Sequence, residues 1–493
     1  MDRTLTRRSL SRRHLLGGSA GVAASLLAGR TGLLAQEASP AAVPSANLGK
    51  DFGGATIRIA TIAEYYAYAF RMFQEQVEKE LNVKLSIEVV PAADLYARNM
   101  QDYVGGSTSY DVAYFLPYQL PDFAPHLDPI GDLMTQYGLD PKLDDILPAF
   151  KNFYTTWDGK HMTVPFDGDH HLMLYNKDAF SNADLQAKFE SENGYPLAVP
   201  ETYDQYLQMA KFFQENPWRT DGGTGYGVAE GYLNPSWWFE NRLASSGAVY
   251  FDEQMNPLIN TPNAIMAAQN LVDLAPFNPP GSNTFGYQEV ENAIAQGDVA
   301  LSINWSSAFR TSMDPNKSKV VGKIGTAVTP GFMVNDELIR HDALCTGWVL
   351  GIPTYGPQKE AATYVAWYYT RPEVHTAMIL DPNTGVDAYR LSSIEDPAFA
   401  EKYGEEFVTT INDSITVGFP DLQVPNAFEY YTSLDNQLRE AVTGGKSVED
   451  AMNQIATEWN EITDRMGRDL QIAAWNTAYT AMKDAGITYV PLA

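Results

Sequence analysis

The stretch Ala55-Thr56-Ile57-Arg58-Ile59-Ala60, read together with residues 64–81 and 83–90 behind it, decides the fold class of this chain. The hexapeptide is a short β-prone run. Residues 64–81 carry Phe70, Phe73, Val77 and Leu81 at helical spacing, and 83–90 alternates apolar with polar side chains. Strand, helix, strand in that order predicts an α/β protein with parallel pairing. The alternation returns downstream, where 110–116 reads as a strand and His171–Asn176 as another that runs into a helix at Lys177.

Helix starts are marked by capping chemistry. Thr202 with Gln205 makes a capping box for a helix over 203–213, Thr261 and Pro262 suit the N-cap and first turn of a helix over 263–274, and Ser447 with Asp450 opens a helix running to Met466. A helix over 288–296 stops at Gly297 and leads into a strand over 299–304. No fixed-period repeat, heptad seam or long low-complexity tract follows residue 47.

The first 35 residues differ from the rest. Arg3, Arg7, Arg8, Arg12 and Arg13 precede a Leu-, Ala- and Gly-rich run from Leu15 to Leu34 that only Arg30 interrupts. Charge followed by modest hydrophobicity is an export signal, and Ser11-Arg12-Arg13-His14-Leu15-Leu16 resembles the twin-arginine type, with a general secretory signal as the alternative. Either destination is outside the cytoplasm. Residues 36–50, rich in Ala, Pro and Ser at their start, read as a flexible tether. The single cysteine, Cys345, allows no intramolecular disulfide and lies far from the signal, where a lipid-attachment cysteine would stand. The expectation is a periplasmic or cell-surface protein, soluble or held by an uncleaved signal.

With 493 residues, 45% of them apolar and 12% aromatic, the chain can bury one large core or two ordinary ones, and two domains fit its length better. No run of about 18 apolar residues follows the N-terminus. Without the six arginines and one aspartate of the first 35 residues, 28 basic and 60 acidic side chains remain, a net charge of about −32. Such a surface repels phosphate backbones, so nucleic acid is excluded as a partner.

Enzymatic signatures are missing. There is no Gly-x-Ser-x-Gly elbow, no His-Glu-x-x-His, no Cys-x-x-Cys and no Gly-rich phosphate loop with Lys. His161, His170 and His171 with Asp167 and Asp169 suggest a metal cluster at first sight, but adjacent strand residues point to opposite faces, and local hydrogen bonding is the better reading. No cofactor or metal is expected. The pairs Tyr65-Tyr66, Tyr368-Tyr369 and Tyr430-Tyr431 raise ferric iron as a ligand, and abundant carboxylates keep an exported glycoside hydrolase as an alternative. Aromatics are more informative: Trp237, Trp238, Trp305 and Trp348 stand beside polar residues near element ends. Sugar rings stack their C–H faces on such rings while carboxylates and amides take the hydroxyls. Core packing is the competing role.

At this point the chain resembles the extracellular solute-binding proteins of carbohydrate ABC importers, the group that includes the maltose-binding protein. The pieces that carry it, in order, are Tyr110-Asp111-Val112; Trp157-Asp158-Gly159-Lys160 through Val164-Pro165 to Leu174-Tyr175-Asn176-Lys177-Asp178; Pro200-Glu201-Thr202-Tyr203; Gln296-Gly297-Asp298-Val299-Ala300-Leu301; Thr346-Gly347-Trp348; and Gly445-Lys446-Ser447 to Ala451. The resemblance implies a two-lobe periplasmic-binding-protein type II fold with discontinuous lobes, 51–175 with 325–352 and 176–324 with 353–493. The first crossing falls at Tyr175–Asp178, with returns near Gly325 and Pro353 as hinges.

It also implies a site for a mono- or oligosaccharide. Asp169 takes the place of a ligand-contacting carboxylate, Trp305 that of a stacking tryptophan, and Trp237 with Trp238 an aromatic position. Glu64 and Tyr65 follow the first strand where a polar sugar contact is frequent, Phe115 stands at a further aromatic position, and Tyr430 with Tyr431 precede the last capped helix. Trp348, Asp387 and Arg390 lie in loops that face the cleft in this group; Ala388 replaces a frequent proline there. Glu64, Phe115 and Asp169 then face Trp237, Trp305 and Tyr430 across the cleft. A polyamine is the non-sugar ligand that such a site suits. The partners implied are a small ligand and the importer's permease subunits, with the protein itself a monomer.

Overall fold

The structure, a computed structural model, describes residues 43–493. The export signal and the start of the tether lie outside the described residues. Ala55–Thr61 and Val83–Val89 pair in parallel over their full lengths, and Ile57 and Ile59 are wholly buried. The connection between them is two helices where the periodicity predicts one. Glu64–Arg71 and Gln74–Leu81 are separated at Phe73, whose backbone leaves the helical region (φ −114°, ψ 4°). Phe70, Phe73 and Val77 are all buried, so the break keeps one apolar face on the sheet.

Two four-stranded sheets organise the rest. In the first, Trp348–Pro353 pairs antiparallel with Ala113–Phe115, Thr163–Asp167 and Leu127–Asp128. In the second the order is Ile324–Ala327, His171–Asn176, Val299–Trp305, Tyr226–Ala229, with only the last pair parallel. Parallel pairing thus holds where a helix joins neighbouring strands and fails for His171–Asn176 and Trp348–Pro353. Those two strands enter their sheets from short linkers: 168–170 leads from Thr163–Asp167 of the first sheet into the second, and 344–347 leads into the first from Asp342–Ala343, which pairs with Gly418–Phe419, so no helical crossover sets their direction.

The crossings therefore differ in place from those the resemblance implies. Tyr175 sits inside the second sheet opposite Leu301 and Gly325, and the first crossing lies upstream at 168–170. The segment 325–352 starts in the second sheet and ends in the first. Helix Lys359–Tyr369 packs on the first-sheet side, where the Tyr369 hydroxyl donates to Phe70 O at 2.7 Å and Tyr364 meets Phe52 with ring centroids 5.4 Å apart.

Two of the three predicted caps form; at the third, Thr261 precedes Pro262–Leu274 but makes no capping bond, its Oγ1 donating instead to Leu258 O at 2.8 Å. Thr202 Oγ1 accepts from Gln205 N at 3.2 Å, and Gln205 Oε1 accepts from Thr202 N at 3.3 Å, opening Tyr203–Glu215. Ser447 Oγ accepts from Asp450 N at 3.1 Å to open Val448–Met466. Tyr287–Ala295 leads through Gly297 (φ +69°) into Val299–Trp305, every residue of which is buried. Among the described residues no helix is long and apolar enough to cross a membrane.

Candidate functional site

A cavity of about 610 Å³ opens between the two sheets. One wall comes from the first sheet and its helices: Tyr65 and Tyr66, at the start of Glu64–Arg71 just past the strand Ala55–Thr61, together with Leu116 and Trp348. The facing wall carries Trp237, Tyr287, Glu291, Trp305 and Ser307. The crossing linkers supply Asp169 and Thr346. Ligand sites at strand ends and between lobes are the usual outcome of such sheets.

The aromatic rings are held by one another. Trp305 meets His171, Tyr287 and Trp237 edge-on at centroid distances of 4.4, 5.3 and 5.4 Å, and its Nε1 donates to Cys345 O at 2.9 Å. Trp348 lies on Tyr114 at 4.4 Å with the planes 1° apart. Both indoles are 4% exposed, so each shows the cavity little more than an edge. Trp237 is half-buried and Tyr65 is 36% exposed, and these two offer the larger ring areas. The Tyr65 ring presses on Gly385, which has φ +66° and whose Cβ, were there one, would overlap that ring.

Asp169 is fixed by the second linker. Its Oδ2 accepts from Thr346 Oγ1 at 2.8 Å and from Gly347 N at 2.9 Å. Gly347 has φ +71°, and a Cβ there would overlap the Tyr154 ring. Burial pushes the Asp169 carboxyl well above the usual carboxylate range, and the charges of Asp167 and Asp387 push it further. Burial likewise lifts Asp167 to about 8, with Asp387 adding to the effect, although Tyr66 Oη and Asp387 N each donate to it at 2.6 Å. Glu291 accepts from Tyr287 Oη at 2.9 Å and from Gln288 Nε2 at 2.7 Å. Lys317 is the one cation among the described lining residues.

The histidines do not converge. His170 Nδ1 bonds Gly168 O at 2.9 Å, while His171 Nδ1 accepts from Asn241 Nδ2 at 2.6 Å, and burial lowers both, His171 to about 3. Among the described residues, the donor group closest to a metal set is Glu240, Cys345 and Asp421, whose ligating atoms lie within 4.8 Å of one another. Glu240 Oε1 already accepts from Tyr250 at 2.8 Å and Tyr431 at 2.6 Å. Burial lifts Glu240 to about 7 and Asp421 well above its usual range, so the two acids hold protons between them. The tyrosine pairs are engaged as well: Tyr66, Tyr369, Tyr430 and Tyr431 each hydrogen-bond through the hydroxyl to a protein group, and burial raises all four phenols.

Of the residues singled out from the sequence, the cavity collects Tyr65, Asp169, Trp237, Trp305 and Trp348. The others lie off it. Glu64 has a side chain 76% exposed and pairs with Arg71 at 2.9 Å, because the first helical turn directs it to solvent. Phe115 stacks on Phe123 at 4.2 Å; its neighbour Leu116 takes the cavity side, as strand alternation requires. Trp238, one helical step from Trp237, is wholly buried and donates to Ile303 O at 2.7 Å. Asp387 pairs with Arg310, and Arg390 with Asp145 at 3.2 Å. Tyr430 bonds Thr463 at 2.9 Å in the packing around Trp459, and Tyr431 is tied to Glu240. Sequence reasoning misses Tyr287, Glu291, Ser307 and Thr346, and singles out Tyr66 only as half of a tyrosine pair. Tyr287 and Glu291 stand four apart at a helix start after Gly286, a spacing that could have drawn attention to them.

Two α/β sheets joined by crossing linkers, with a polar and aromatic cavity between them, define a two-lobed solute-binding protein. Residues 60–374 match the family described as bacterial extracellular solute-binding protein, and the chain belongs to that family. Among its relatives is a protein of Sinorhizobium fredii named as a probable amino-acid ABC transporter periplasmic-binding protein, y4oP, 26% identical over 72% of this chain and 77% of that one. A mannitol-binding protein of Pseudomonas aeruginosa is 24% identical over 66% of this chain and 73% of its own. Among solved structures, the ABC transporter solute-binding protein of Agrobacterium radiobacter in complex with ribitol superposes with a TM-score of 0.70, at 21% identity, over 84% of this chain and all of that one.

Proposed function

We propose that this protein captures a neutral polyol or sugar in the cavity and delivers it to the permease of an ABC importer. The observation that carries the reading is the lining itself: ring faces from Tyr65 and Trp237 share the cavity with hydrogen-bonding groups from Asp169, Glu291, Gln288 and Ser307. Apolar ring faces suit the C–H surfaces of a polyhydroxylated ligand, and the acceptors suit its hydroxyls. A ligand carrying a carboxylate, such as an amino acid, fits less well. No arginine stands among the described lining residues, so the bidentate grip that suits a carboxylate is missing. Binding without turnover is the activity assigned, with export supplied by the N-terminal signal.

A thermal-shift screen of the mature protein over ribitol, D-mannitol, maltose, amino acids, spermidine and ferric citrate tests this reading. At about 100-fold excess over Kd a ligand adds roughly 2.7 kcal/mol, a shift of several degrees. The expected result is a shift with a polyol or sugar and none with amino acids. A response to spermidine alone moves the assignment to a polyamine. Hydrolysis of a glycoside at an enzymatic rate overturns it.

A further inference from the structure

Thr346 and Gly347 are successive residues with positive φ, +72° and +71°. Asn or Asp followed by Gly is the usual pair for such backbone, and a β-branched residue in the left-handed region is a steric outlier. Strain of this kind persists where the surroundings over-determine it, and it gathers at functional sites. Here the surroundings are on both sides of the turn. Behind it, Thr346 N donates to Asp421 Oδ2 at 3.0 Å. Before it, Tyr154 Oη donates to Leu344 O at 2.7 Å and Trp305 Nε1 to Cys345 O. In front, Thr346 Oγ1 and Gly347 N both donate to Asp169 Oδ2.

We infer that Thr346 is a positioning residue for ligand capture, its strained turn holding a hydroxyl and the following amide so that the Asp169 carboxyl is locked in one orientation at the cavity wall. The inference rests on the reading of the cavity as the ligand site. Two donors on one oxygen stop the carboxyl from turning, and Oδ1, which has no protein donor among the described residues, keeps a fixed direction for a ligand hydroxyl. Glycine at 346 would meet the backbone demand without strain, yet it has no hydroxyl to give. The contact to Asp169 gives a threonine at this position a purpose that glycine lacks. The same linker also seats the Trp305 indole through Cys345 O, so one turn aligns both the carboxyl and a ring of the site.

The test compares Thr346→Gly, which suits φ and removes the hydroxyl, with Thr346→Ser, which keeps it. Crystal structures of the unliganded proteins should show Asp169 leaving its rotamer in the glycine variant and retaining it in the serine variant. Titration with ribitol and D-mannitol should give a Kd at least fivefold higher for Thr346→Gly, about 1 kcal/mol, and within twofold of wild type for Thr346→Ser. An unmoved Asp169 in Thr346→Gly, or unchanged affinity, overturns the positioning role. Should the glycine variant not fold, Thr346→Ala, which keeps the Cβ and removes the donor, takes its place with the same expectation of weaker binding and lost rotamer. If wild type binds no polyol or sugar of the thermal-shift screen, the functional reading fails instead, and the Asp169 rotamer still decides this inference.

Discussion

Arg310 and Asp387 form an ion pair at 2.8 Å in which the side chains are 2% and 0% exposed. Arg310 lies on Ser306–Ser312, the helix that follows Trp305, while the segment of Asp387 runs beside the first sheet, with Asp387 N donating to Asp167. The guanidinium also donates to Ile379 O at 3.0 Å and Val386 O at 2.6 Å. The pair thus ties together the two walls of the cavity without reaching it. Asp387→Ala leaves a buried cation unpaired and should cost about 3–5 kcal/mol of stability. The double variant Arg310→Met/Asp387→Ala should recover part of that loss. Urea unfolding measures both, and a single variant as stable as wild type would show that the pair contributes nothing.

Trp305 and Trp237 should separate stability from affinity. The stacking role drawn from the sequence places Trp305 on a solvated cleft wall, but its indole is 4% exposed and packed against several rings. Trp305→Ala should therefore cost about 3–5 kcal/mol as well as affinity. Trp237→Ala, at a half-buried site, should weaken polyol binding with a much smaller loss of stability. Calorimetric melting and ligand titration of both variants decide this, and equal melting temperatures would contradict it.

Stability should decline as pH rises from about 6.5 to 8. In the fold, Asp167 and Glu240 keep protons up to about 8 and about 7, whereas the unfolded chain releases them near pH 4. Their contribution is full below that pH and is lost as pH climbs through the folded values. Histidine acts in the opposite sense. Burial lowers His170, His171, His341 and His375, so below about pH 6.5 the unfolded chain binds protons that the fold refuses, and stability falls with acid. Melting temperature without ligand should peak near pH 6, at about the crossover of the two effects. Asp167→Asn should flatten the alkaline limb. A melting temperature that climbs steadily from pH 6.5 to 8 would contradict the assignment.

Cys345 should be inert in the folded protein. It is wholly buried, and burial raises its thiol well above the usual range, as do the nearby Glu240 and Asp421 carboxyls. A thiol reagent such as iodoacetamide should label it only after denaturant is added. Cys345→Ser should keep affinity within a few-fold, because the contribution to Trp305 comes from the backbone carbonyl and not from sulfur. Rapid labelling of the native protein would show that the linker 344–347 opens to solvent.

Local features of the chain were enough to mark its elements. The Thr202–Gln205 and Ser447–Asp450 caps act through neighbours three residues apart, and Ile57 and Ile59 alternate on one strand, so period and capping chemistry specify them without distant contacts. The ordered motifs likewise identify the family, and Asp169, Trp237, Trp305, Trp348 and Tyr65 among them reach the cavity. What only the tertiary structure decides is which neighbour of a pair faces that cavity and which faces the core. Leu116 and Phe115, or Trp237 and Trp238, are chemically alike, and a single strand or helix step exchanges their surroundings. The direction of His171–Asn176 and Trp348–Pro353 also escapes local patterning, since linkers of a few residues set it. The role of Thr346 is more distant still from its sequence: a threonine reads as ordinary until the fold brings Asp421 and Asp169 to opposite sides of its turn and holds it at φ +72°.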